Sequence, residues 1–351
     1  MFAQYEDSER LDKVEGLTEA FSPYQDFRLY PSSVTPGIQL GMNVIKPKNP
    51  GLLLIQLHGW HMSMPKPLRR DVPNESTYLI VQVDMRGRAF SQGSADCNGY
   101  ELVDIYDAVQ FVRQEYKDWL LAEEPAYLEG GSGGGGNVLA AVAKFPDLFA
   151  AASALYGMSD YAVWYEQDQT GEFRDEMDVW IGCTPQEDME RYQARSGLHL
   201  AMNVQTPLYI THGDGDIRVP VTHSRNYVDV MQKLNKGQLV RYDELAGVGD
   251  QGHLAHIRPE QSLRVEVESE RNRIDHPNPI QLPLQGKLLV GGYVYTKYFM
   301  LQLDSVNHLA EVTYDVERRD VRLTASAAYP YHLQWADGAV MSGCCVQRAN
   351  E

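Results

Sequence analysis

A chain of 351 residues, 43% hydrophobic and 23% charged, is long enough to bury a substantial core and has the make-up of a folded globular protein. Its 31 basic against 48 acidic side chains give a net charge of −17, which opposes contact with a phosphate backbone or an anionic lipid surface. Neither nucleic acid nor membrane is therefore an expected partner. The N-terminal MFAQYEDSERLDKVEGL lacks the basic start and apolar run of a secretory leader, and no stretch approaches the ~18 apolar residues of a membrane span. A cytoplasmic protein is expected, or a secreted one if a leader has been trimmed away. Cys97, Cys183, Cys344 and Cys345 lack metal-ligand spacing, so reduced thiols and neither metal nor cofactor are expected.

From about residue 36 to 256 short apolar runs alternate with helical patterns. Residues 51–57 (GLLLIQL) and 78–83 (YLIVQV) have the form of strands buried on both faces of a parallel sheet, and 126–129, 150–155, 208–211 and 239–245 supply the others. Leu102, Ile105, Val109, Val112 and Tyr116 recur at steps of three and four, which predicts a helix over 100–116. A second helix is expected to open at Thr222, capped by its hydroxyl, and to stop at Gly237. Alternation of this kind predicts a mostly parallel, doubly wound α/β sheet with helices on both faces.

The rhythm breaks twice. Residues 157–205, rich in Trp, Tyr, Met and acidic side chains, are long enough for a helical cap insertion of a few short helices. After three prolines in 275–284, residues 286–327 alternate apolar and polar positions without a helical period, as antiparallel β structure does. The expected division is a catalytic domain over 1–275 and a small β-rich appendage over 276–351, packed on that domain or on a second copy of the chain.

Three features carry chemistry. In Glu129-Gly130-Gly131-Ser132-Gly133-Gly134, between an apolar strand and a helix, two glycines flank Ser132 at the spacing of a nucleophile elbow. A glycine-rich turn of this kind also suits a phosphate, but the Gly-Lys-Ser/Thr ending of a phosphate loop is missing. Strand 208–211 runs into His212-Gly213-Asp214-Gly215-Asp216, which places two carboxylates at the edge where ligands gather in open α/β sheets. Asp216 is the first candidate and Asp214 its competitor. The loop Gly247-Val248-Gly249-Asp250-Gln251-Gly252-His253 delivers a histidine, with His256 as second choice. A serine hydroxyl needs a base, an orienting acid and oxyanion donors, and the order Ser, Asp, His supplies the first two. The N–H groups of Gly133 and of Trp60, in the loop after strand 51–57, are the candidate oxyanion donors.

Taken together, His58-Gly59, Asp84-Met85-Arg86-Gly87-Arg88, Gly130–Gly134, Lys144-Phe145-Pro146-Asp147-Leu148-Phe149 and His212–Asp216 with Val219-Pro220 resemble the catalytic domain of the prolyl oligopeptidase group of α/β-hydrolases and its esterase relatives. The resemblance spans about residues 36–256. It implies the α/β-hydrolase fold, Ser132 as nucleophile, Asp216 as acid and His253 as base. The chain departs from the group at Gly133, often aromatic in the peptidases, and in the spacing of the glycines before His253. Only about 35 residues precede the resemblance, against the propeller of several hundred that filters peptides by size in the peptidases.

An ester hydrolase, such as a carbohydrate acetyl esterase or a feruloyl-type esterase, is accordingly expected ahead of a peptidase or aminopeptidase. His61, Trp164 and Trp180 are candidate substrate contacts, the tryptophans for a sugar or phenolic ring. An aminopeptidase would use Glu166, Asp168, Glu172, Asp175 or Glu176 to hold a substrate amino group. A catalytically silent hydrolase fold serving as a binding module is the remaining reading.

Overall fold

Alternate residues of Leu52–Leu57 face opposite ways, and both directions are buried: Leu53, Ile55 and Leu57 join one core, while Leu54 joins another on the reverse side. A strand of this kind has to sit in the middle of a covered sheet. The computed structural model describes residues 13–121 and 125–348; residues 1–12, on which most of the expectation about a leader rests, lie outside the described residues.

The strands of the first sheet are β1 (Ala20–Phe21), β2 (Gln25–Pro31), β3 (Gln39–Ile45), β4 (Leu52–Leu57), β5 (Tyr78–Val83), β6 (Ala126–Gly131), β7 (Phe149–Leu155), β8 (Leu208–Gly213) and β9 (Val240–Leu245). Their order is β1-β2-β3-β5-β4-β6-β7-β8-β9, antiparallel up to β5 and parallel from β5 to β9. The six strands expected from the apolar runs are all present. The sheet also starts earlier than expected, because the polar-looking β1 and β2 extend its antiparallel edge.

Helices α1 (Glu101–Glu115), α2 (Gly133–Lys144) and α6 (Thr222–Lys233) contribute to the larger core, whereas α7 (Pro259–Asp275) covers the reverse face. There Asn272 Nδ2 donates to the Ala152 carbonyl, and the Tyr78 hydroxyl donates to Glu270. This is the α/β-hydrolase arrangement. Helix α7 escapes a reading by apolar stripe because its apolar residues Leu263, Val267 and Ile274 are exposed. The expected cap at Thr222 is not formed. Val221 occupies the N-cap position, and the Thr222 hydroxyl accepts a long hydrogen bond from Gln167 instead.

The insertion between β7 and β8 holds three short helices, α3 (Tyr161–Gln167), α4 (Arg174–Trp180) and α5 (Met189–Gln193). Asp160 caps α3 by accepting from the Ala162 and Val163 amides, and Asp188 caps α5. Their inward side chains form a separate aromatic core with Trp60.

The C-terminal part is an eight-stranded sheet of β10 (Gln285–Gly291), β11 (Tyr293–Tyr295), β12 (Phe299–Leu303), β13 (Leu309–Asp315), β14 (Asp320–Ala325), β15 (Pro330–Trp335), β16 (Val340–Cys344) and β17 (Val346–Gln347), antiparallel except for the pair β14 and β17. It has its own core and is firmly docked. Tyr293 and Tyr295 enter the hydrolase core, and the Tyr293 hydroxyl donates to the Gly99 carbonyl at 2.6 Å. Asn203 accepts from the Leu289 amide and donates to its carbonyl. Lys144, wholly buried, donates to the Gly291 carbonyl at 2.5 Å and lies 4.4 Å above the Tyr293 ring. Burial, reinforced by the Arg195 charge, pulls the Lys144 ammonium down to about 7.

Candidate active site

Strands β4 and β6 are parallel neighbours with Leu57 opposite Gly130, so residues two further along each chain, Gly59 and Ser132, come out level at the carboxyl edge. The direction of strand addition reverses here, since β5 lies on one side of β4 and β6 on the other. Such a reversal opens a crevice.

Ser132 is held at φ 55° and ψ −121°, in a region that L residues rarely enter. The turn is sharp enough that a Cβ on Gly130 would lie 2.6 Å from the Gly134 carbonyl carbon, while a Cβ on Gly134 would lie 2.7 Å from the His58 carbonyl oxygen at the end of β4, so both positions are glycine. The first-turn amides of α2 have no acceptor inside the helix. At Gly133 an added Cβ would stand 2.5 Å from the Trp60 nitrogen and 2.7 Å from its Cα, so the two backbone segments that carry the candidate oxyanion donors are in close contact. His58 steadies the Trp60 loop: its Nδ1 pairs with the Gly59 carbonyl, and its Nε2 accepts the Met85 amide at 3.1 Å. Burial, followed by the charge of Arg88, lowers the His58 imidazole to about 3.

The Ser132 Oγ is 2.8 Å from His253 Nε2, and His253 Nδ1 is 2.6 Å from Asp216 Oδ2. The structure thus brings together the three residues put first in the sequence. Burial would raise the Asp216 carboxyl, but hydrogen bonds from His212 and His253 and from the Val219 amide outweigh it and hold the group well below the usual carboxylate range. Asp216 remains an anion that orients the imidazole.

The alternatives have other employment. Asp214 Oδ1 accepts the Gly247 and Val248 amides and so ties the histidine loop to the acid loop. Exposed His256 pairs with exposed Asp250. Two supports went unnoticed in the sequence. The Tyr156 ring stacks on His253 with centroids 5.0 Å apart, on a backbone at φ 41°. His212 Nε2 lies 3.4 Å from Asp216 Oδ2 and is itself held by Ser224 and the Val219 carbonyl. Only the His-Gly pair beginning at His212 signalled this second support.

Beside the site the aromatic core of the cap packs on Trp60, with Trp180 and Trp164 centroids at 4.8 and 4.9 Å. Trp164 is 1% exposed and donates its indole N–H to the Arg218 carbonyl, so it lies within the aromatic core of the cap and leaves no open ring face for a sugar. Trp180 is only partly buried. His61 stacks on Phe173, with Glu176 at 2.8 Å and Glu172 at 3.5 Å. Glu176 also accepts from the Trp60 indole, Glu172 pairs with Arg218, and Asp168 accepts the Thr170, Gly171, Phe173 and Arg174 amides.

The sequence profile of the prolyl oligopeptidase family matches residues 73–263, more than half of the chain and a span that includes Ser132, Asp216 and His253. The chain belongs to the prolyl oligopeptidase family. It is a serine hydrolase of a family that works through a Ser-His-Asp triad. The uncharacterized peptidase YtmA of Bacillus subtilis (strain 168) is 25% identical over 220 residues, covering 61% of this chain and 84% of YtmA. The acylaminoacyl peptidase of Pyrococcus horikoshii superposes with a TM-score of 0.57 at 21% identity, over 77% of this chain and 43% of its own. A puromycin-hydrolyzing peptidase of Mycobacterium tuberculosis gives 0.56 at 18% identity, over 72% and 39%. The chain spans less than half the length of these two solved structures, whose likeness establishes the fold.

Proposed function

We propose that this member of the prolyl oligopeptidase family is a serine peptidase that cleaves peptide bonds through an acyl-enzyme on Ser132. The observation that carries the reading is the relay from Ser132 through His253 to buried Asp216, set beside the close contact of the Gly133 and Trp60 backbones. Ser132 Oγ attacks the scissile carbonyl as His253 Nε2 takes its proton. The oxyanion is received by the Gly133 and Trp60 N–H groups, and His253 returns the proton to the leaving amine. Water, activated by the same imidazole, then releases the acid. Asp216 keeps Nδ1 protonated throughout.

The same chemistry would cleave an ester, the substrate class expected first from the sequence. Support for the peptide substrate comes from the family and from the relatives, whose names describe peptidases. The ring platform that an ester of a sugar would need is closed at Trp164. The deciding experiment compares aminoacyl anilides with aryl esters of matched acyl groups, and titrates Ser132 with a fluorophosphonate. Ser132→Ala should lose labelling and on the order of 10⁴ or more in turnover while keeping its fold. Ester turnover without anilide turnover would sink the peptidase assignment, and unlabelled Ser132 would sink the nucleophile.

A further inference from the structure

Two arginines share the turn after β5, and they are treated differently. Arg86 and Arg88 are both 4% exposed. Arg86 is saturated: it forms a two-pronged ion pair with Asp104 and hydrogen bonds to Thr35 and Ser32. Among the described residues Arg88 has no ion pair and no side-chain hydrogen bond, and its buried Nε is without an acceptor. Its guanidinium lies 4.8 Å from the Trp180 ring centroid, and Trp180 packs directly on Trp60 of the oxyanion loop.

A guanidinium has five N–H donors and cannot shed its charge, so burying one with only a ring face for company is costly. The neighbouring acids Asp84 and Glu101 attract its charge but give it no hydrogen bond. Asp84 spends its oxygens on the Met64 and Phe90 amides, and Glu101 accepts from the Asn98 amide and from Asn137. Burial also raises both acids, Asp84 to about 6 and Glu101 to about 7, which weakens them as counter-ions. The charge is felt within the site, since it helps to depress His58. What is missing is a planar acceptor that takes two N–H bonds at once, and a carboxylate has that shape.

We propose that Arg88 is the receptor for a carboxylate borne by the substrate next to the scissile bond, with Trp180 and Trp60 flanking the aliphatic part of the same group. The carboxylate is either the acidic side chain of the residue whose carbonyl is attacked or the free α-carboxylate of the residue that leaves. The net charge of −17 repels such substrates at a distance, so selection rests on local attraction to Arg88. The inference depends on the peptidase reading for its substrate, and the test separates the two.

Wild type, Arg88→Gln and Arg88→Lys are assayed on acetyl-Ala-Glu and acetyl-Ala-Gln anilides, on the matching aryl esters, and on acetyl-Ala-Phe-Gly against its C-terminal amide. One charge-assisted bidentate contact predicts a kcat/KM preference for the charged member of one pair on the order of 10- to 100-fold. A Glu over Gln preference assigns the side chain, and an acid over amide preference assigns the leaving residue. Arg88→Gln should bring the ratio close to one, and Arg88→Lys should keep part of it. A readout free of turnover is protection of Ser132 from the fluorophosphonate, which N-acetylglutamate should give more strongly than N-acetylglutamine. Wild-type ratios near one in every pair, or a preference untouched by Arg88→Gln, overturn the proposal. Hydrolysis of the esters alone overturns the peptidase reading while the ester pair still measures Arg88. If Arg88→Gln does not fold, the wild-type ratios and Arg88→Lys decide.

Discussion

Gly133→Ala tests the oxyanion geometry with a single methyl group. The Gly133 backbone has no positive φ, so alanine is tolerated there by conformation and should favour the helix by up to about 1 kcal/mol. The obstacle is the loop opposite. The new Cβ would stand 2.5 Å from the Trp60 nitrogen, where ordinary contact begins at 3.4 Å, so the loop must retreat by roughly 0.9 Å. Retreat carries the Trp60 N–H away from the point at which it meets the Gly133 N–H. Losing one oxyanion donor costs about 10²–10³ in kcat, or roughly 3–4 kcal/mol, and a displacement near 1 Å has an effect of similar order. The assay is steady-state hydrolysis of an activated aryl ester, paired with thermal denaturation. The expected result is a large fall in kcat together with a lower Tm, because the atoms that must give way are Trp60 backbone and not the end of a flexible side chain. A kcat within about threefold of wild type would show that Trp60 does not serve as a donor, because an effect that small is under 1 kcal/mol.

Three further outcomes are expected. His253→Ala should cost at least about 10³ in kcat, whereas His256→Ala, which breaks only an exposed pair worth ~0–1 kcal/mol, should stay within a few-fold of wild type; the reverse pattern would reassign the base. Lys144 is depressed to about 7 in the folded state from its ordinary 10.5, so the unfolded chain holds the extra proton between these values. Its contribution therefore rises with pH through that window and is lost as pH falls through 7. Lys144→Met should remove up to ~1.4 kcal/mol per pH unit from the slope of unfolding free energy between pH 7 and 9, and an unchanged slope would refute it. Tyr293→Phe removes a buried hydrogen bond and strands the Gly99 carbonyl, so chemical denaturation should show a loss of about 1–3 kcal/mol; a neutral result would mean that the docking of the β sheet does not depend on this contact.

Local sequence by itself determined the parallel core and the elbow around Ser132. Runs such as Leu52–Leu57 are apolar on both faces, and that pattern admits no other place than mid-sheet. The elbow around Ser132 is legible because glycines stand two places away on either side of it, Gly130 because the turn itself leaves no room for a side chain and Gly134 because the end of β4 does not. The same holds for the short helices of the cap and the alternation of the C-terminal strands. Tertiary structure decided what depends on groups far apart in the chain. Asp214 and Asp216 are equivalent as sequence, and only the path of the loop before His253 gives one to the imidazole and the other to the Gly247 and Val248 amides. Strands β1 and β2 and helix α7 carry too little local pattern, since their place comes from pairing and covering a sheet built by other segments. Trp164 and Trp180 look alike on paper, yet packing seals one and leaves the other partly open. Arg86 and Arg88 stand two residues apart, and the contrast between a saturated and an unsatisfied guanidinium appears only when Asp104, Ser32 and Thr35 are folded against one of them.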